Sequence, residues 1–446
     1  MLRKLPIEFT DKKISPWGGI HLFKSVYDKL RLRDFLRGLP LPQPGSNRGF
    51  DPLDIVEAFL VSVVLGSQRL AHSGMLRSDE VIREIFNWKK GAPSASTLSR
   101  FFKKFSIGLN DSIFPSLQKH LMDRVGLDKM TIDIDSTVIT RHGNQEYARK
   151  GYNPNSKGKN SHHPLLAFCD DLKMVVNSWM RSGDSHTSTQ TNEFLDEVFE
   201  IIGPTRIGLI RMDSGFYSEE IMKKLEDTEG GLTYLIKARM TSSLRSRIYQ
   251  IQNWHSPNMK EGSYEYSEIM YQGSSWEHAR RIVVCRKKKK EEPDKKYNNK
   301  LLFKDLEEKE SYEYYAIVTN SSLPCSALHT LYNKRANCEN IIKELKYDYS
   351  VEGFALHSFA AMEAAFRFIM VAYNIMIVFK QYAFKSKHLH KLPTIKFQCI
   401  AIGSYVIKRG RNKVLKLSGS GKRRHFLEKV FDNIEKIPPD FSIPIA

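Results

Sequence analysis

Met130–Thr140 reads MTIDIDSTVIT, an apolar/polar alternation of period two that predicts a half-buried strand. It marks a change of rhythm. Upstream, residues 1–128 carry helical patterns. Asp51–Gly66 (DPLDIVEAFLVSVVLG) has Pro just inside its start and Gly at its end, the usual helix punctuation. Downstream, strands are expected at His163–Asp170, Met174–Arg181, Ile207–Met212 and Leu232–Ala238, and helices at Asn192–Ile202 and Ser218–Leu225. This mixture predicts an α/β core whose sheet is covered on both faces.

Outward from that core, the N-terminal region continues with helical patterns at Asp79–Trp88 and Ser94–Phe105. The latter sets Arg100, Lys103 and Lys104 beside Leu98, Phe101, Phe102 and Phe105, as the second helix of a helix-turn-helix would. An amphipathic helix with a solvated basic face explains the segment equally well. Residues 239–311 break the rhythm with Trp254, Trp276, a strand-like run at Ala279–Cys285 and a charged tract, Arg286–Lys300. They are expected to form a β-rich insertion. Regular structure resumes with a strand at Tyr312–Thr319, one long helix over Cys325–Asp348 and an apolar helix over His357–Phe384. The expected units are therefore a helical N-terminal region (1–128), a core in two parts (129–238 and 312–385) around the insertion, and a basic C-terminal region (386–446).

The 446-residue chain carries a formal net charge of +19, with 41% apolar and 27% charged residues. That composition builds a globular core and argues against disorder. The positive surplus points to a polyanionic partner, of which nucleic acid is the commonest. Within the tail, Lys408–Arg424 holds eight basic and no acidic side chains. Five scattered cysteines lack C-x-x-C spacing, so neither a disulfide framework nor a zinc site is expected. The start, MLRKLPIEFTDKK, has no secretory apolar run. Phe368–Phe379, the most apolar stretch, spans 12 residues, contains Asn374 and is read as a buried helix, too short for a bilayer. A reduced, cytoplasmic protein without a membrane partner is expected.

Three acids stand out. Asp133 and Asp135 project from one face of their strand. Two neighbouring carboxylates repel unless a cation sits between them, although a polar sheet face would also place them so. Asp213 ends the apolar run IGLIRM and precedes Ser214–Gly215, at the carboxyl end of a strand where ligands collect in α/β sheets. On an unbroken helix, Tyr332, Arg335, Glu339 and Lys346 share an arc of about 60°, with Leu331, Cys338, Ile341, Ile342 and Leu345 on the apolar side beside it. A solvated face stitched by i,i+4 pairs would look the same.

The spacing Tyr332-x2-Arg335-x3-Glu339-x6-Lys346, with DIDST at Asp133–Thr137, RMDSGFYS at Arg211–Ser218, ENIIKELKYD and HSFAAMEA, resembles the Tyr-Arg-Glu-Lys signature of DDE transposases. Within these it is similar to the insertion-sequence-four superfamily, and most of all to its thirteen-eighty group. The likeness covers most of Asp133 to about Asn374. It implies an RNase H-like catalytic core with the β-rich insertion between the second Asp and the Glu. It also implies Asp135, Asp213 and Glu339 as catalytic residues holding two Mg²⁺ ions, with Mn²⁺ as a substitute, and Asp133 as the alternative first acid. Carboxylates suit Mg²⁺, which takes oxygen ligands and retains waters. Two such ions can activate the attacking oxygen and stabilise the leaving one in strand cleavage and transfer.

The same resemblance implies Tyr332, Arg335 and Lys346 as DNA phosphate contacts, and Trp254 or Trp276 stacking on a flipped base. Arg100 and Lys103 would join them from the N-terminal region. The expected partners are double-stranded DNA, both terminal inverted repeats and target, and a second copy of the chain on that DNA. His162–His163 is not read as a metal pair, because adjacent strand residues face opposite ways. The competing readings are a catalytically silent DNA-binding regulator, which would commonly have lost one acid, and a junction-type nuclease, which would need neither the insertion nor this helix.

Overall fold

The computed structural model describes residues 5, 7–154, 156–257, 264–289, 311–384, 390–438 and 441–443. Much of the charged tract expected at Arg286–Lys300 lies outside these residues.

An eight-stranded mixed sheet organises the chain. Its strands are β1 (Met130–Ser136), β2 (Leu165–Cys169), β3 (Met174–Trp179), β4 (Ile207–Met212), β5 (Thr233–Lys237), β6 (Glu265–Tyr271), β7 (Arg280–Lys288) and β8 (Tyr312–Thr319), in the order β6-β7-β8-β5-β4-β1-β2-β3. β4 runs parallel to both β1 and β5, and every other pairing is antiparallel. The mixed α/β expectation holds. The β-rich segment between the second Asp and the Glu takes a particular form: β6 and β7 pair onto β8 and lengthen the central sheet itself.

Helices cover the sheet: α1 (Ile20–Lys29), α2 (Pro52–Val64), α3 (Ala95–Phe102), α4 (Ile107–Met122), α5 (Thr191–Ile202), α6 (Glu219–Asp227), α7 (Cys325–Asn333), α8 (Ala336–Tyr347), α9 (Phe359–Phe384) and α10 (Gly421–Glu435). Their starts follow local chemistry. Asp51 accepts from Leu53 N at 2.9 Å ahead of Pro52, and Ser94 accepts from Thr97 N at 3.1 Å. The helix expected over Cys325–Asp348 is instead two helices. They break at Lys334–Arg335, where Arg335 N, Asn337 N and Cys338 N each donate three residues back, to Tyr332 O, Lys334 O and Arg335 O. Neither Pro nor Gly marks this break, so the sequence carries no punctuation for it.

α9 is largely apolar because it is buried along nearly all of its length, and its charged Glu363, Arg367 and Lys380 are ion-paired. Its 26 residues are long and apolar enough to cross a membrane by length and composition, yet its most apolar window is wholly buried in the protein. Asn374, the polar residue inside that run, caps the sheet edge. Its side chain accepts from Val175 N at 2.9 Å and donates to Val175 O at 2.7 Å, satisfying backbone groups of the edge strand β3. α9 also joins the N-terminal helices to the sheet, so one continuous apolar core runs from Ile20 to Ile443. The helical region 1–128 thus shares its core with the α/β part.

Candidate active site

β1 and β4 lie side by side and parallel, with Asp133 opposite Arg211 and Ile134 opposite Met212. The next step along both strands brings Asp135 beside Asp213 at the carboxyl end of the sheet, strands in this direction lying about 4.8 Å apart. Backbone N–H groups orient both carboxylates. Ser136 N donates to Asp135 Oδ1 and Gly215 N to Asp213 Oδ1, each at 2.8 Å. Gly215 has to be small here, since a Cβ would sit 2.8 Å from the Thr187 methyl and 3.0 Å from Asp213 Oδ1.

Asp133 and Asp135 have different surroundings although they share a strand face. Asp133 is 1% exposed, and both of its oxygens are taken by Arg211, at 2.6 Å from Nε and 2.7 Å from Nη2. Arg211 also reaches Asp170 at 2.9 Å and Leu331 O at 2.7 Å. This is a closed structural cluster that leaves neither Asp133 oxygen over. Asp135 meets Arg335 at 3.0 Å and the Cys338 thiol at 3.6 Å through Oδ2. Burial pushes the Asp135 carboxyl above the ordinary aspartate range; Arg335 opposes this and the nearby Asp213 charge adds to it. Burial works against the Arg335 charge as well, but Asp135 and Asp213 hold its pKa above the usual value.

Glu339 stands apart. It is exposed, and among the described residues no group of three His, Cys, Asp or Glu side chains is gathered to hold a metal ion. Arg335 and Cys338, three residues apart and so neighbours on one face, both meet Asp135. Glu339 follows one turn after Arg335, on the neighbouring outer position, where i,i+4 side chains lie about 5–6 Å apart at Cβ.

The remaining candidates are placed as follows. Tyr332 is half-buried against the cluster under α7, and burial pushes its hydroxyl to about 12. Arg335 is buried on Asp135. Lys346 donates to Val138 O at 2.7 Å and pairs with Glu352 at 3.3 Å, tying α8 to the chain that follows β1. Arg100 and Lys103 are exposed, on the outer side of α3, whose Leu98, Phe101 and Phe102 are buried. Trp254 is half-buried under the Arg286 guanidinium, 4.1 Å from its ring.

Trp276 is 8% exposed and packs between Tyr217 and Tyr271, with Arg280 5.2 Å from its ring. Trp276→Ala is therefore expected to cost about 3–5 kcal/mol of stability, the range for large core truncations. Trp254→Ala should cost clearly less. Paired thermal melts check this; equal losses would mean that Trp276 is not the core residue its packing indicates.

The two histidines do face opposite ways. His162 accepts from Arg141 Nε at 3.0 Å and contacts Glu146 O, and burial lowers its pKa to about 4. His163 contacts Ser185 O at 2.9 Å and the Ser136 hydroxyl at 3.1 Å, beside the acid pair, with its pKa also lowered by burial. Cys338 and His163 are the two site neighbours that sequence reasoning left out.

Over residues 2–439 the chain matches the family described as transposase DDE domain, group 1. The chain belongs to this DDE transposase family. No curated protein matches it. Among solved structures it is similar to the piggyBac transposase synaptic complex with hairpin DNA, at 11% identity and a TM-score of 0.43, over 94% of this chain and 80% of that one. At that distance the likeness bears on neither fold nor function. Membership makes the chain a transposase of the DDE type, an enzyme class of DNA transposition and recombination that generally uses divalent metal ions.

Proposed function

We propose that this transposase cuts and rejoins the ends of an insertion sequence by a cut-and-paste route, with Asp135, Asp213 and Glu339 as its three acids. The observation that carries the reading is the juxtaposition of Asp135 and Asp213 on adjacent parallel strands, oriented by backbone N–H groups, with Arg335 paired to Asp135. The strand run β3-β2-β1-β4-β5, antiparallel through its first three members and parallel through its last three, supports an RNase H-like core. The insertion-sequence-four superfamily and its thirteen-eighty group are the finer assignment that the signature residues support.

The donor set fits a hard divalent ion. Ser136 N and Gly215 N take one oxygen of each aspartate; the second oxygen of Asp135 holds Arg335 and the Cys338 thiol, which an ion would displace, and two carboxylates this close favour a cation. Asp135 and Asp213 would hold the ion, with Glu339 completing the set from α8. When bound, Mg²⁺ (or Mn²⁺) polarises the scissile phosphate and lowers the pKa of the attacking oxygen. The chain's own residues do the rest. Arg335 balances the buried Asp135 charge in the free protein and is the nearest cation to any phosphate brought there. Lys346 fixes the helix that carries Glu339. Arg100 and Lys103 offer phosphate contacts from the N-terminal helices. The partners in this reading are terminal inverted repeats, target DNA and a second protomer on the DNA, in the cytoplasm.

A catalytically silent DNA-binding regulator is the second reading, and the exposed, ungathered Glu339 favours it. Incubating the protein with a labelled duplex that carries the element's end, in Mg²⁺ or EDTA, separates the two. Metal-dependent cleavage at the repeat boundary is expected, lost in Asp213→Ala while DNA binding persists. Specific binding without cleavage in Mg²⁺ and in Mn²⁺ would establish the silent regulator instead.

A further inference from the structure

The C-terminal region contains a feature that the active site does not use. Ser404–Arg409 (β9) and Asn412–Leu417 (β10) form an antiparallel ribbon in unbroken register from Ser404 opposite Leu417 to Arg409 opposite Asn412. The two residues between them, Gly410 and Arg411, make the tight turn, with Gly410 at φ 63°, a conformation that favours glycine. The root of the ribbon is fixed. Ser404 is buried, its hydroxyl donates to Ser15 O at 3.1 Å, and Ile14–Ser15 adds a third strand. The tip is exposed over Lys408–Lys413.

Charge is concentrated at that tip. Lys408 and Lys413 are directly opposite each other across the ribbon, an arrangement that destabilises a sheet pair. Arg409 and Arg411 flank them. Glu84 pairs with Lys413, but among the described residues no carboxylate lies within ion-pair distance of Lys408, Arg409 or Arg411. Lys416 lies opposite Tyr405, which is 47% exposed. A two-stranded projection whose exposed tip carries Lys408, Arg409 and Arg411 without ion-paired acids among the described residues is stabilised by a polyanion.

We propose that this ribbon is a second DNA-contacting element, which lies along the phosphate backbone of duplex DNA through Lys408, Arg409 and Arg411. The inference rests on the transposase reading for the identity of the polyanion. It places the ribbon's share of the DNA beside the N-terminal region, where the ribbon is rooted, and makes its binding independent of DNA sequence, since phosphate contacts position a protein without reading bases.

The test compares the full-length protein with the variant Lys408→Ala/Arg409→Ala/Arg411→Ala on a random-sequence duplex and on an element-end duplex. Binding is measured by fluorescence anisotropy across a salt series, with sedimentation and a thermal melt alongside. The expected result is an unchanged melt, weaker binding to both duplexes by the same factor, and a salt-dependence slope smaller by about 3, one for each phosphate that is no longer neutralised. Unchanged affinity and slope would overturn the proposal. So would altered self-association with intact DNA binding, which would give the ribbon to a second copy of the chain. Failure of the unaltered protein to bind any duplex would remove the transposase reading along with the ribbon; a reduced slope confined to the variant supports the ribbon alone.

Discussion

Glu339→Gln is expected to leave the melting temperature of the protein unchanged and to lower metal-dependent strand cleavage by at least about 100-fold. The first half follows from exposure. Glu339 is solvated and is not gathered with other ligating side chains, and surface substitutions of this kind usually stay within about 0.5 kcal/mol. The second half follows from the charge a metal site needs. Two aspartates leave a divalent ion short of oxygen ligands, and changes even to outer-shell partners of a metal typically cost about 10–100-fold. Losing a direct ligand should cost more. Single-turnover cleavage of an end-labelled duplex and a thermal melt on the same preparations give both readouts. Cleavage that survives the substitution would remove Glu339 from the site and turn attention to the groups already beside Asp135. Unlike Asp213→Ala, this variant tests the one acid that the free protein does not place.

Why that acid escapes the geometry shows how far the sequence could be read. Periodicity located every strand of the central sheet from Met130 to Lys237, and Tyr312–Thr319 to the residue, because a sheet buried on one or both faces writes its pattern in alternation or in apolar runs. Strand-end logic singled out Asp213, and register then set it beside Asp135. Pattern could not separate Asp133 from Asp135, since both project the same way. What distinguishes them is a cross-strand neighbour, Arg211 against Asp133, and that depends on which strands adjoin. The break at Lys334–Arg335 was equally invisible. Residue type groups Cys338 with the apolar side, although it follows Arg335 by three residues and shares its face toward Asp135. The β-rich segment was recognised, but its pairing onto β8 is a long-range choice that local alternation does not encode.

Arg211→Met should be among the most destabilising single substitutions in the protein, at about 3–5 kcal/mol, because it strands a buried charge. Removing one partner of a buried ion pair costs that much chiefly through the partner left behind. Arg211 and Asp133 are each 1% exposed, and the guanidinium donates to both Asp133 oxygens, to Asp170 and to Leu331 O. Asp170 keeps Lys173 and Asn337, so the penalty falls on Asp133. The pH dependence carries the signature. Burial already raises the Asp133 carboxyl, and Arg211 is the largest influence pulling it down; without Arg211 the folded-state pKa rises further above the unfolded value. The folded variant then binds the Asp133 proton more tightly than its unfolded chain does, and its stability falls as pH rises through that raised pKa. The deficit relative to the unaltered protein should therefore be full at pH 7 and shrink as the pH is lowered toward the ordinary aspartate range. Arg211→Met/Asp133→Asn, which removes both charges, should recover much of the loss and flatten this dependence. Denaturant midpoints for the three proteins across pH check the sign directly. A deficit that is constant with pH, or a double variant no better than the single one, would mean that the Asp133 charge is not what Arg211 holds in place.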